Sequence, residues 1–284
     1  MPLVSMNAFL PRAKQEGFAV GQFNMNNLEF TQAIIEAAIE ERSPLIFGAS
    51  EGAIRYMGLK NVVALARVAA EESGLPVALH LDHGSSFEVV MQCIQAGFSS
   101  VMFDGSHYPL EENIRLTKKV VEAAHAVGVS VEGELGTIGG VEDDLDVADE
   151  EATLADPEEA IRFWKETRVD ALAIAVGTAH GMYKGEPKIR YHIIEQVAKE
   201  VEAPIVLHGG SGVPDEAIRK SISLGVGKIN VNTENQVACT ETIKKIFNEK
   251  PEIIDPRKYL GPAREAMKEV VKAKMRLFGS SGKA

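Results

Sequence analysis

The chain has 284 residues with 45% hydrophobic and 25% charged content, ordinary for a soluble globular protein and long enough for one large α/β domain. A net charge of −11 disfavours nucleic acid and anionic membrane as partners, since both call for clustered Lys and Arg, but leaves small anionic substrates open. Cys93 and Cys239 imply no disulfide framework, the N-terminus is no secretion signal, and no apolar run approaches the ~20 residues that span a bilayer, so the cytoplasm is expected.

From its start the sequence alternates strand-like and helix-like stretches. The expected strands are Ala19–Asn24, Leu45–Ser50, Val77–Leu81, Ser100–Phe103, Ser130–Leu135, Ala171–Val176, Ile205–His208 and Lys228–Val231. Most are short apolar runs, as parallel strands covered on both faces should be. The helices between them carry start and stop signals. Ser85 to Glu88 reads as a capping box, and Asp156 before Pro157 as an N-cap followed by a first-turn proline. Gly97, Gly128 and Gly225 stand where a left-handed residue ends a helix. Eight such units predict a single (β/α)8 TIM barrel over residues 1–284, with an extra C-terminal helical region at Pro256–Phe278. A doubly wound open sheet is the alternative, but no G-x-G-x-x-G follows the first strand.

In a barrel, polar groups at the carboxyl ends of the strands converge on one site. Here those ends read Asn24, Ser50, Asp82 with His83, Asp104, Glu134, His180, His208 and Asn230. Any one of them is as readily a helix cap or a turn residue. Three apolar runs that each finish in His-Gly, at His83, His180 and His208, are not explained that way. Three imidazoles with an open fourth position make the ligand set of a catalytic zinc site, and Asp104 and Glu134 add oxygens for a second divalent ion. Asp82, beside a ligand, is expected to be a general acid/base, with an imidazole-orienting carboxylate as the alternative. His107, His125 and His192 read as solvated or capping residues.

Two small polar loops follow strands seven and eight, His208 to Gly212 and Asn230 to Glu234. Their glycines and the helix N-termini behind them suit a phosphate. The acidic stretch from Thr137 to Ala155 contains no Lys or Arg and is expected to be an irregular, mostly solvated loop. With Gly139 and Gly140 as a hinge, it also has the makings of a lid delivering Glu142 or Asp143 to a substrate.

These residues resemble the class II, metal-dependent fructose-bisphosphate aldolases of bacterial type. The resemblance runs from Gly21–Phe30 through Asp255–Arg264 to the C-terminus. It is most specific at His80-Leu-Asp-His-Gly84, Glu132-Gly-Glu-Leu-Gly136 with Gly139 and Gly140, Leu207 to Gly212, and Lys228 to Glu234. It implies zinc on His83, His180 and His208, and a second metal position at Asp104 and Glu134. It further implies that Asp82 acts on the C4 hydroxyl and that Glu142 moves the triose-phosphate proton. Gly181, Gly209, Gly210, Ser211, Asn230, Val231, Asn232 and Thr233 would hold the dihydroxyacetone phosphate end, with a Na+ or K+ ion near Gly181, Gly209 and Ser211. Asn24 and Ser50 would touch substrate, and Arg257, from a partner subunit of a homodimer or homotetramer, would meet the other phosphate. The sequence departs from the pattern at Val141, where a polar residue is expected, and Gly177–Gly181 is shared as readily with tagatose-bisphosphate aldolases.

The activity so implied is reversible cleavage of fructose 1,6-bisphosphate to dihydroxyacetone phosphate and glyceraldehyde 3-phosphate, a step of glycolysis and gluconeogenesis. Its chemistry suits a metal, which spreads the charge left beside the ketone. The other electrophile, a lysine Schiff base, needs a Lys at the barrel mouth. Lys228 is expected to point to the far end, and Lys184 and Lys188 lie beyond His180. Tagatose-bisphosphate cleavage and a non-catalytic metal or sugar-phosphate binding barrel are the alternative readings.

Overall fold

The computed structural model describes residues 2–142, 145–148, 152–183 and 185–284. Its strands are β1 (Val20–Asn24), β2 (Leu45–Ser50), β3 (Val77–Gly84), β4 (Ser100–Phe103), β5 (Ser130–Leu135), β6 (Gly139–Glu142), β7 (Leu145–Val147), β8 (Ala171–Ile174), β9 (Ala179–His180), β10 (Ile205–Leu207) and β11 (Val226–Val231). Eight of them close a parallel barrel in the order β1-β11-β10-β8-β5-β4-β3-β2. This is the expected (β/α)8 fold, and the closed ring removes the open-sheet alternative.

Neighbouring residues of a strand point to opposite faces, and the barrel uses both. On β3, Val77, Leu79 and Leu81 join the large apolar layer between the sheet and the helices. Ala78, from the same strand, joins a separate cluster with Val20, Ile46, Ala171, Ala173 and Val206. That second cluster is the lower barrel interior. The short N-terminal helices, Met6–Ala8 and Leu10–Glu16, plug it with Met6, Phe9, Leu10 and Ala13. Burying a side chain of this size is worth roughly 1.5–3 kcal/mol, so the plug is a substantial part of the core. With one end stoppered by apolar side chains, the strands' carboxyl ends are left as the mouth for polar ligands.

The helices start and stop much as their caps dictate. Asp156 accepts the N–H groups of Glu158 and Glu159 ahead of Pro157–Thr167, and Gly97, Gly128 and Gly225 all take positive φ. The expected capping box does not form: Ser86, not Ser85, caps Phe87–Ala96 through the Val89 N–H, and the Ser85 N–H goes to Glu51. The C-terminal helix, Arg257–Phe278, packs on Leu28–Glu41 and Thr233–Glu249.

Three expectations are corrected. The stretch after β5 is not wholly irregular, since β6 pairs antiparallel with β7 and parallel with β9 in a small second sheet. His180 accordingly sits on β9, beyond the end of barrel strand β8. Lys228 lies inside the barrel, not at its far end, because β11 begins at Val226 and runs two residues below it.

Candidate active site

Strand β3 reaches the mouth in an unusual way. Its pairing with β4 shifts register between Leu81 and Gly84, and His83 takes φ 51°, the left-handed region that L side chains avoid. A regular strand would send Asp82 and His83 to opposite faces; the bulge brings both inward. Gly84 completes the turn, since a Cβ there would meet the Met102 carbonyl at 2.5 Å.

His83, His180 and His208 are brought together at the mouth, each with a ring nitrogen within 4.8 Å of the others'. His83 Nε2 and His208 Nδ1 are 3.0 Å apart, close to the roughly 3.3 Å edge spanned by tetrahedral ligands at about 2.0–2.1 Å. Each of these two rings is held from behind by a carboxylate. Asp104 Oδ2 binds His83 Nδ1 at 2.7 Å, and Glu132 Oε1 binds His208 Nε2 at 2.8 Å. Carboxylates so placed fix an imidazole's tautomer and turn its free nitrogen to a metal. His83, Asp104 and Glu134 form a second group able to hold an ion, and Glu134 Oε2 is buried without a hydrogen bond. An orphaned carboxylate oxygen beside three imidazoles fits a divalent cation well.

The carboxylates gathered around the cluster favour positive charge there. Burial and the neighbouring Asp104 raise the Glu134 pKa well above the ordinary carboxylate range. Burial opposes charge on His83, but its bond to Asp104 and the nearby Asp82 and Glu134 raise it well above the usual histidine value. Burial would also raise Asp82, yet His83, His208 and Lys228 hold it below its usual value, so it is an anion at neutral pH.

Asp82 is held by two carboxamides. Its oxygens accept from Asn24 Nδ2 at 3.0 Å and Asn230 Nδ2 at 3.3 Å. The carboxylates hydrogen-bonded to the imidazoles are instead Asp104 and Glu132.

The other expected site residues divide. Ser50 caps Glu51–Met57 through the Ala53 N–H, at the level of Asp82 on the paired strand. Val231 ends β11, and Asn232 and Thr233 begin the Thr233–Glu249 helix, whose N-terminus faces the glycine loop through the Glu234 N–H to Ser211 Oγ bond at 3.3 Å. The Gly210 N–H is spent on the Asn230 carbonyl at 2.9 Å. Gly209 and Gly181 both take positive φ, and Tyr183 Oη ties their loops by donating to the Gly209 carbonyl and accepting from the Ala179 N–H. Arg257 is not part of this cluster. Its guanidinium is exposed and bonded to Asp255. The Glu142 backbone pairs with Leu145, while Asp143 and Lys184 lie outside the described residues and Lys188 is exposed.

Sequence reasoning missed a polar layer just below the mouth. His80, Glu132 and Lys228 are all fully buried. Lys228 Nζ binds Glu132 Oε2 and Asn230 Oδ1, each at 2.8 Å, and His80 Nδ1 lies 2.7 Å from Ser100 Oγ. Burial and Lys228 push the His80 pKa down to about 3, so that ring is neutral. Each of the three stands two residues before a strand end already singled out: His80 before Asp82, Glu132 before Glu134, Lys228 before Asn230. Period-two counting back from the mouth finds them.

Fold and site together define a barrel enzyme of the metal-dependent kind, with histidines at the strand ends. The family model for class-II fructose-bisphosphate aldolases matches residues 4–283, and the chain belongs to that family. It is 57% identical over 287 residues to a Bacillus subtilis (strain 168) protein called "Probable fructose-bisphosphate aldolase". It is 54% identical over 287 residues to the fructose-bisphosphate aldolase of Staphylococcus aureus (strain Mu50 / ATCC 700699). In both cases the whole of each chain is covered. The crystal structure of the YdjI aldolase from Escherichia coli K12 superposes with a TM-score of 0.87 at 34% identity, over 99% of each chain.

Proposed function

We propose that the protein cleaves fructose 1,6-bisphosphate reversibly into dihydroxyacetone phosphate and glyceraldehyde 3-phosphate, as a zinc enzyme of glycolysis and gluconeogenesis. The observation that carries this reading is the convergence of His83, His180 and His208 beside an Asp82 carboxylate steered by Asn24 and Asn230. His83, His180 and His208 would hold a zinc ion, which would supply a Lewis acid for the charge that the broken carbon–carbon bond leaves on the triose phosphate. Asp82, anionic and aimed into the mouth, takes the C4 hydroxyl proton in cleavage and returns it in condensation. Glu142, on the small sheet that docks on the His180 strand, exchanges the proton on the triose-phosphate carbon.

The loops from Gly209 to Ser211 and from Asn230 to Thr233, with Gly181, hold the dihydroxyacetone phosphate end; Gly210 serves by shaping the turn, its N–H being already bonded. A Na+ or K+ ion would be held by the backbone of Gly181, Gly209 and Ser211. Asp104 and Glu134 offer a second divalent position, supported by the orphaned Glu134 oxygen. Ser50 contacts substrate at the rim. Arg257, exposed on its own subunit, meets the second phosphate across the interface of a homodimer or homotetramer. No described helix is long and apolar enough to cross a membrane, which is compatible with a cytoplasmic enzyme.

The test is cleavage of fructose 1,6-bisphosphate beside tagatose 1,6-bisphosphate, with and without chelator. The reading expects chelation to abolish activity, zinc to restore it, and kcat/KM to favour the fructose sugar. Undiminished activity in metal-free protein, or a preference for tagatose bisphosphate, overturns it.

A further inference from the structure

Beneath the histidine cluster, one lysine joins the two arms of the site. Lys228 is fully buried, with its partners Glu132 and Asn230 also inside the barrel. On one side its ammonium binds Glu132 Oε2 at 2.8 Å, and the other oxygen of that carboxylate accepts from His208 Nε2 at 2.8 Å. A donor bond at Nε2 leaves the Nδ1 lone pair facing His83 and the mouth, which is the tautomer a metal requires. On the other side the ammonium donates to Asn230 Oδ1 at 2.8 Å. With its oxygen so fixed, the Asn230 carboxamide can present only its NH2 to Asp82 Oδ1, 3.3 Å away. Lysine has three N–H donors and no acceptor, so it enforces both orientations at once. The cost of burying such a charge is met by Glu132, equally buried.

We propose that Lys228 is a positioning residue that sets the His208 tautomer through Glu132 and the Asp82 orientation through Asn230. It therefore couples metal binding to proton transfer. This rests on the metal-dependent aldolase reading of the same site.

The test uses the full-length protein with Lys228→Met, which keeps bulk and removes the charge, and Lys228→Met/Glu132→Gln. Zinc affinity is read by competition with a chromogenic chelator, and kcat and KM on fructose 1,6-bisphosphate at saturating zinc. Circular dichroism reports folding. Lys228→Met leaves Glu132 without its counter-charge, so His208 loses an aligned acceptor and zinc affinity falls by about 10–100-fold. At saturating zinc its kcat remains down about 10–100-fold, with KM little changed, because Asn230 is unlocked. In the double variant a neutral amide needs no counter-charge and can still accept from His208. Zinc affinity then recovers about tenfold over the single variant while kcat stays low. Wild-type zinc affinity and kcat in Lys228→Met overturn the proposal, as does a double variant no better at binding zinc than the single. Should Lys228→Met fail to fold, a folded double variant with wild-type kcat overturns it equally. Wild-type protein that binds zinc but cleaves no fructose 1,6-bisphosphate sinks the functional reading instead, and the zinc comparison still judges Lys228.

Discussion

Asp82 and His83 are neighbours in sequence with separate duties in space. His83 turns to the other histidines with Asp104 behind it, while Asp82 is held between two carboxamides. The bulge at Leu81–Gly84 makes that division possible, since a regular strand would leave one of the pair outside. Replacing Asp82 by Asn keeps the shape and removes the proposed base. With acid–base transfer contributing about 10²–10⁴-fold, Asp82→Asn should lower kcat by that much and move KM only a few-fold. Steady-state kinetics at saturating zinc decide it, and a loss below about tenfold reassigns the role. These residues were legible because ionisable groups at the ends of buried apolar runs stand out. His80, Glu132 and Lys228 were not, although each shares a face with a residue that was. A polar group within a run reads as an interruption until barrel closure gives it buried partners.

At the scale of elements, the barrel strands could be read because their outward faces are uniformly apolar, and Leu45–Ser50, Ser100–Phe103 and Ser130–Leu135 run as expected. The small sheet could not. Gly139-Gly140 followed by a run of acids has the composition of a loop, and only its pairing with β7 and β9 makes it a strand. That docking depends on a missing side chain. Gly140 takes φ 99°, and a Cβ there would sit 2.2 Å from the His180 carbonyl oxygen and 2.8 Å from its nitrogen. Both contacts are with backbone, which cannot swing aside. Gly140→Ala should therefore push the His180 strand away from the mouth, at a cost of about 1–3 kcal/mol in stability. Because His180 rides on that strand, zinc affinity should fall together with thermal stability. Chelator competition and a melting curve on the same sample check it. Wild-type zinc affinity in a variant that melts early would mean the small sheet does not position the ligand.

Over the whole molecule, the barrel is built in three levels: an apolar plug below, a polar layer at His80, Glu132 and Lys228, and the ionisable mouth above. Fold and mouth were accessible from period and spacing, whereas the middle layer exists only once eight strands close. The mouth concentrates Asp82, Asp104 and Glu134 around three imidazoles, with the buried Glu132–Lys228 ion pair just beneath them. Such a site gains from a divalent ion in a way the unfolded chain cannot, because the ligands come from distant strands. A ligand that binds only the folded state at one hundred times its dissociation constant adds about 2.7 kcal/mol. For a chain of this length each kcal/mol is worth about 2–4 °C, so zinc at that excess should raise Tm by about 5–10 °C over the chelated protein. Magnesium at the same concentration should do much less, since it takes oxygen ligands and holds its water. Differential scanning calorimetry with chelator, zinc and magnesium makes the comparison. Equal melting in all three would mean the histidine cluster is no metal site, whatever its geometry. A zinc shift that disappears in His208→Ala would tie the stabilisation to the barrel mouth.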